Sequence, residues 1–427
     1  MLDLTGVTVT GSDPVLPGRF KVGELAATCV GATTLAAAGL LRERSGVDSA
    51  VAVDVRAAAV AFRSERHLRV NGLVSGDMSP LSGDYEAADG WVRLQCNYPH
   101  LRRAAVDALG ALDSRESVAE RIRSLAAVDV ESLVQQGGGA AGALRAREQW
   151  LAHPQARLLE RLPVVQLERF ADAPTVVLPS AARPLSGVRV LDLTHVIAGP
   201  VCGRTLAAHG ADVLHVAAAH RPVMAATLRD TSFGKRSCWL DLRIAEDRRR
   251  LRELVAEADV FVQSYRHGAL ARHGFGPEEL AALRPGIIAV DVSAYGTTGP
   301  WGGRRGFDSL VQMVSGIADD NGTPRSLPAQ ALDHGSGWLA AWGVITALRR
   351  RAVDGGSWRV SVSLARTGLW LDSLGRTAIP GSEPEVSDLL TTTGEFTHVK
   401  VPGTLSAAPP YWSHGPRTPG GDPAAWW

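Results

Sequence analysis

Apolar and polar positions divide the chain into two textures. In the second half, short apolar runs alternate with stretches of helical period. Residues 187–193 (Gly-Val-Arg-Val-Leu-Asp-Leu) read as a near-continuous apolar strand, and a turn at Ala198-Gly199-Pro200 leads into a helix ending near His209-Gly210. Strand texture returns at 211–216, 237–242, 259–263 and 286–292, with a charged helix at 245–257 and another at 277–283. Strands alternating with helices at this spacing predict an α/β fold with a Rossmann-like, doubly wound parallel sheet.

The first half is less regular. An Ala-rich helix is expected from Glu24 to Arg44, closed by Ser45-Gly46, and a Val-alternating strand follows at 50–55. Residues 81–85 and 90–94 pattern as an antiparallel pair around an Asp89-Gly90 turn. A mostly helical stretch from 101 to 151 is interrupted by Gly137-Gly138-Gly139, and a further strand is expected at 162–167. This predicts a smaller α+β domain. The run 173–184, with three prolines, reads as a linker, so the expected division is 1–183, 184–375 and a Pro/Gly/Thr-rich tail, 376–427, either disordered or laid over a surface. Residues 24–55 and 333–364 also share a plan: acidic residue, Ala-rich helix, arginine cluster, glycine turn, Val-alternating strand. Chance similarity of two Ala-rich helices explains this as readily as duplication.

Bulk numbers narrow the class. The 427 residues suffice for two domains, and 45% hydrophobic with 21% charged residues is ordinary for a globular protein. A net charge of +1 gives no reason to expect a nucleic acid or an anionic membrane surface as partner. The longest apolar run, 26–41, contains threonines and lacks a basic n-region, so neither a membrane span nor a signal peptide is expected and a cytoplasmic location is the default. Cys29, Cys96, Cys202 and Cys238 lie far apart without CxxC pairing, which points to reduced thiols and not to a zinc site.

The stretch with most chemical promise is Asp333-His334-Gly335-Ser336-Gly337-Trp338. It opens a helix with Trp338, Leu339, Trp342, Ile345 and Leu348 at helical spacing. Taken alone, Asp333 reads as an N-cap whose carboxylate is favoured by first-turn N–H groups and the helix dipole. The small residues after it leave room for a ligand near the backbone. Other motifs fail on context. Gly137–Gly142 fits GxGxxG but follows a helical stretch, whereas a dinucleotide fingerprint needs strand, turn and helix in that order. Gly234-Lys235-Arg236-Ser237 lacks the glycine that would complete a phosphate loop.

An ordered series of motifs changes the standing of Asp333. It comprises residues 187–194 running into His195-Val196-Ile197-Ala198-Gly199-Pro200, then Gly210-Ala211-Asp212-Val213, Gly234-Lys235-Arg236-Ser237, Ala258-Asp259-Val260 and Tyr265-Arg266-His267-Gly268-Ala269-Leu270. Ser293-Ala294-Tyr295-Gly296, Gly306-Phe307-Asp308 and Asp333 with Gly337 complete it. In that order the chain resembles the family III CoA-transferases, the CaiB/BaiF type, over roughly 184–374. The first segment is similar, more weakly, to that family's small domain, through Trp91–Leu94 and Glu148-Gln149-Trp150-Leu151. The family's usual order is reversed here, and the resemblance therefore implies a rearranged domain order.

The resemblance implies that Asp333 is the nucleophile and that His195, Val196, Ala198, Gly199, Pro200, Arg272 and Arg305 line the CoA site. Ile197, Ser264, His267 and Ala217–Ala219 depart from residues common there. The implied chemistry is CoA transfer between carboxylic acids by covalent catalysis on Asp333, with backbone N–H groups of Gly335, Ser336 and Gly337 as candidate oxyanion donors. It needs no metal and no permanently bound cofactor; coenzyme A enters as acyl-CoA substrate, with a carboxylic acid as partner. Two other readings stand beside it. A 2-methylacyl-CoA racemase would need a proton shuttle where Phe307 stands, and a non-catalytic CoA-binding derivative would account for the departures. The family is typically an interlocked homodimer, and a monomer whose first segment replaces part of a partner is the other possibility.

Overall fold

The computed structural model describes residues 2–426 except Ser75 and Asp77. After two short strands, Val7–Thr10 and Gly18–Phe20, comes a 24-residue helix, α1 (Val22–Ser45), whose Gly46 turns it in the left-handed conformation. Strand β1 (Val51–Asp54) follows, then α2 (Val55–Ala61), capped by the Asp54 carboxylate on the Ala57 N–H, and the short α3 (Ser64–His67). The small domain comes next. Strands Gly83–Ala87, Gly90–Leu94 and Ala141–Ala143 form an antiparallel sheet, with helices Pro99–Leu109, Arg115–Arg123 and Ala127–Gln136 around a core that includes Tyr85, Val92, Leu109, Ile122 and Val134. The glycine run at 137–142 is thus no free loop: its end is a buried strand pairing with residues 92–94.

Strand β2 (Gln166–Ala171) leads to the linker and then to β3 (Arg189–Leu193), α4 (Ala198–Ala208), β4 (Asp212–Ala217), β5 (Lys235–Trp239), β6 (Val260–Gln263) and β7 (Ile288–Ser293). Helix α5 (Asp308–Val314), the 24-residue α6 (Ala331–Asp354), β8 (Ser357–Ser363) and α7 (Leu364–Ser373) complete the domain. The sheet order is β5-β4-β3-β6-β7-β8-β2. Every pairing is parallel except that of β2 with β8. This is the expected doubly wound sheet, with its switch point between β3 and β6, where such sheets take ligands at the strands' carboxyl ends.

Two expectations shift. The strand expected at 162–167 begins at Gln166, after Leu162 has ended the preceding turn and Pro163 has removed a backbone donor. That strand closes the open edge of β8, so a division at 183 cuts through the large sheet. The linker is fastened as well: the Arg44 guanidinium at the end of α1 donates to the carbonyls of Pro179 (2.8 Å), Pro184 (2.6 Å) and Ser186 (2.8 Å).

The tail is laid over the surface. Residues 390–393 pair with 396–399, which pair in turn with Arg69–Val70, and Thr404–Leu405 adds to β1. Asp422 accepts the Ser237 N–H at 2.9 Å, and the indoles of Trp412 and Trp426 donate to the Arg204 and Leu254 carbonyls. By length and composition α1 could cross a membrane, but most of it is buried here, packed on α6. All four cysteines are buried and free.

The two 24-residue helices correspond closely. Their N-cap residues, Lys21 and Gln330, have φ/ψ of −78°/61° and −79°/61°, and both helices stop at a glycine of positive φ. Glu24 and Asp333 are each the third residue of their helix, so they pair without a gap. Each helix start is held by a remote aspartate on its second and third N–H groups: Asp13 on Gly23 and Glu24, Asp308 on Leu332 and Asp333. The likeness is therefore geometric and not merely compositional.

Helix α6 is buried on nearly every side, between α1, α4 and the sheet. Such a helix needs small residues at its crossings. A Cβ on Gly337 would lie 2.5 Å from the Ala198 carbonyl oxygen and 2.7 Å from Val201 Cβ. On Gly39 of α1 it would meet only the end of the Arg349 side chain, at 3.0 Å. Gly337→Ala is expected to destabilise the protein by ~1–3 kcal/mol despite alanine's better helix propensity, while Gly39→Ala is expected to be neutral or mildly stabilising. Urea unfolding of both variants checks the contrast.

Candidate active site

Asp333 is not the N-cap. Gln330 holds that position, and the N–H groups a cap would serve are taken by Asp308, whose Oδ2 accepts from Leu332 at 2.8 Å and Asp333 at 2.9 Å. Asp308 comes from α5, a helix the sequence pattern did not reveal, although its Gly306-Phe307-Asp308 lead-in was visible. Gln312 Nε2 also donates to Asp308, and its Oε1 accepts the Leu327 N–H at 2.7 Å, which draws the loop before α6 onto α5. The Asp333 side chain is thereby released from capping, and among the described residues no donor engages its carboxylate.

Burial and like charge then act against ionisation. Asp333 is 7% exposed, and its carboxyl is pushed well above the usual carboxylate range by burial, then by the charges of Asp308 and Glu65. Asp308 is pushed up to about 6, burial outweighing the donors that favour its anion. Of the two, Asp308 has the donors that favour an anion, and Asp333 is the one whose ionisation nothing offsets. The helix terminus does favour an anion, as the sequence suggested, but Asp308 is the one it stabilises.

Glu65 and His334 were not singled out as site residues. His334 is fully buried, stacked on Phe62 at 5.6 Å, with Nε2 3.1 Å from Glu65 Oε2. Tyr98, at the start of helix Pro99–Leu109, feels the Asp333 charge and stacks on Phe307 at 6.4 Å. Three parts of the chain therefore converge here: the first segment, the small domain and α5–α6. No local pattern in the sequence announces residues brought together from such separations.

Gly335, Ser336 and Gly337 are not placed as oxyanion donors. They lie in the second turn of α6, where each N–H donates to the carbonyl four residues earlier. Gly335 faces Thr367, Leu25 and Phe62; Ser336 shares a 2.8 Å hydrogen bond with the Thr367 hydroxyl; Gly337 seats α4. Their smallness serves helix packing.

The His195–Pro200 loop sits at the sheet's switch point, and its shape is imposed from behind. Asp192 and Lys235 form a fully buried ion pair at 2.7 Å, Lys235 also donates to the Pro200 carbonyl, and Asp192 accepts the Thr194 N–H and hydroxyl. Val196 is held at φ 71°, a strained conformation for a β-branched residue and a mark of functional loops. Gly199 is required because a Cβ there would come within 2.4 Å of Thr194. Ile197 is a buried N-cap without a capping side chain, so the first N–H groups of α4, those of Ala198 and Gly199, remain available to an anion.

His195 is exposed, its N–H 3.3 Å from the Ser264 hydroxyl and its ring 5.5 Å from Tyr265. Arg221, also missed in the sequence, lies over the Tyr265 ring at 5.0 Å. Arg305 is half-buried and donates to the Gly138 carbonyl of the small domain; burial, then the charges of Arg305 and Arg221, depress His100. Arg272 stands exposed in the short turn Ala271–His273. Basic groups from both domains thus gather near the loop.

This geometry coincides with a family match. Residues 185–385 match the family model of CoA-transferase family III. An acetyl-coenzyme A transferase of Hypoxylon pulicicidum is 38% identical over 202 residues, 45% of this chain and 34% of that protein. An acyl-CoA transferase of Gibberella moniliformis is 29% identical over 415 residues, 84% of this chain and 72% of that protein. The probable fatty acyl-CoA transferase Rv3272 of Mycobacterium tuberculosis is 32% identical over 227 residues, 48% and 58%. A crystal structure of Rv3272 aligns over 45% of this chain and 59% of that one, with a TM-score of 0.42. Apart from the Gibberella protein, the chain spans about a third to three-fifths of the length of these relatives.

A raised carboxyl carries a linkage consequence. The folded state keeps a proton on Asp333 that the unfolded chain has lost, so stability falls as pH rises from the unfolded value through the folded one. Asp333→Asn is expected to stabilise the protein at pH 7 by ~1 kcal/mol or more, at ~1.4 kcal/mol per pH unit of separation. The gain should vanish toward pH 4. Denaturant titrations at both pH values measure it.

Proposed function

We propose that this chain transfers CoA from an acyl-CoA to a carboxylic acid, with Asp333 as nucleophile. The observation that carries the reading is a buried carboxyl that no donor among the described residues occupies, at the start of α6, in the segment matching CoA-transferase family III. Several relatives bear names of this chemistry, among them a succinate–glutarate CoA-transferase of Agrobacterium fabrum.

The steps follow from carboxylate chemistry. The Asp333 anion attacks the thioester carbonyl, forming an acyl-aspartyl anhydride and releasing CoA thiolate. The thiolate attacks the aspartyl carbonyl, giving an aspartyl–CoA thioester and the free donor acid. The acceptor carboxylate attacks that thioester to form a second anhydride, and the thiolate then takes the acceptor's acyl group, regenerating Asp333. Each step exchanges one acyl bond for another, so the thioester's free energy is conserved only if water is excluded. The burial of Asp333 supports that requirement. A carboxylate whose ionisation is opposed is also more basic and hence more nucleophilic once ionised.

The loop His195, Val196, Ala198, Gly199 and Pro200 would hold CoA at the α4 N-terminus, and Arg272 and Arg305 would hold phosphates by charge-assisted bonds. Arg221 joins them. The site as described needs no metal or bound cofactor in these steps. Racemisation is disfavoured because Phe307, packed on Tyr98, offers no group to move a proton. We further propose that the chain works as a unit in which the first segment supplies what a partner subunit supplies elsewhere in the family, since Glu65 and Tyr98 already complete the surroundings of Asp333.

Hydroxylamine trapping tests the reading. Incubation with a panel of acyl-CoA donors is expected to yield a hydroxamate on Asp333, located by peptide mass spectrometry, and both Asp333→Asn and Asp333→Ala should lower transfer by at least ~10³-fold. Absence of any adduct across the panel would favour a non-catalytic CoA-binding protein. Arg305→Ala is expected to raise KM for acyl-CoA ~10-fold with a smaller change in kcat, read from steady-state kinetics.

A further inference from the structure

Glu65 belongs to α3, beyond the family-matched segment, yet its Oε2 is 3.1 Å from His334 Nε2, one residue from Asp333. Its side chain is 14% exposed. The neighbouring residues fix it from both sides. Ser64 donates to Asp230 at 2.7 Å, Arg204 of α4 binds the same carboxylate at 2.8 Å, and Arg63 donates to Glu383 at 2.7 Å. Phe62 covers the His334 ring.

We propose that Glu65 is a positioning residue for Asp333: docked on His334, it sets the charge against which the nucleophile must ionise. This rests on the transferase reading for its purpose. The charged groups bearing on Asp333 are Asp308 on α5 and Glu65 on α3, with Tyr98 at the start of the small domain's first helix coupled to it; His334 of α6 and Arg66 act in turn on Asp308 and Glu65. Asp308 is the larger of the two charges acting on Asp333, with its oxygens engaged by the α6 N–H groups and Gln312. Glu65 bears on Asp333 from a second element, its carboxylate shared between the His334 imidazole and the Arg66 guanidinium 4.0 Å away. A second negative charge next to Asp333 raises the free anion relative to the anhydride and thioester, in which the aspartyl group is uncharged. The first segment thereby takes part in the chemistry without touching substrate.

The test reads the proton on Asp333 directly, without acyl-CoA. The full chain is treated with an apolar carbodiimide, which modifies protonated carboxyls, across pH 4–9, and the Asp333 peptide is quantified by mass spectrometry. Removing the Glu65 charge should ease ionisation, so Glu65→Gln is expected to lower the modification midpoint by ~1 pH unit or more. Glu65→Asp keeps the charge and should stay nearer the wild type. If Glu65→Gln does not fold, Glu65→Met removes the charge at similar length with the same expectation. An unmoved midpoint on loss of the charge, or an equal shift in Glu65→Asp, overturns the proposal. Hydroxylamine trapping separates the two ideas: a shifted midpoint without any hydroxamate sinks the transferase reading and leaves the charge coupling standing. A hydroxamate without the shift does the reverse.

Discussion

The burial of α6 is the constraint on which the rest of the structure depends. A 24-residue helix enclosed by α1, α4 and the sheet buries its start as well as its sides, and a buried helix start leaves backbone N–H groups that need partners. The far end reaches the surface at Val353 and Asp354, where the Arg351 carbonyl accepts the Gly355 and Val176 N–H groups. At the buried start the N–H groups are met by Asp308. Because that cap comes from another helix, α6 can begin with a side chain at position 333 that is buried but unoccupied.

The cost appears as charge. Asp308, Asp333 and Glu65 crowd one small region, with the His334 imidazole and the Arg66 guanidinium set against them. A structure selected for stability alone would place an apolar residue at 333. Holding a carboxyl there, unserved by donors, is the kind of local inconsistency that marks a working site. The strained Val196 is a second instance, held by the Asp192–Lys235 pair beneath it.

Much of this was legible before the fold was known. The alternation of strands and helices from 187 onward gave the parallel sheet, because buried parallel strands read as apolar runs. Asp333 and the His195–Pro200 loop were found through an ordered set of motifs. What escaped has a common cause. The cap on α6 comes from residue 308 and the partner of His334 from residue 65, and no local period encodes contacts over such separations. Gly335 and Gly337 misled for the opposite reason: smallness shows in the sequence, but whether it admits a ligand or a neighbouring helix does not. The glycine run at 137–142 likewise hid a buried strand whose pairing is with residues 92–94.

The correspondence of α1 and α6 has a consequence for how this protein can change. In a symmetric pair of identical subunits every substitution is made twice, and a residue good for one role must be tolerable in both copies. Here the two helix starts are encoded separately. Glu24, half-exposed and paired with Lys21, can drift without altering the codon for Asp333, and Asp13 and Asp308 hold their helices independently. One side of the pair is free to become scaffold while the other stays under the demands of chemistry, so that asymmetry is inherited with the gene and need not arise on assembly.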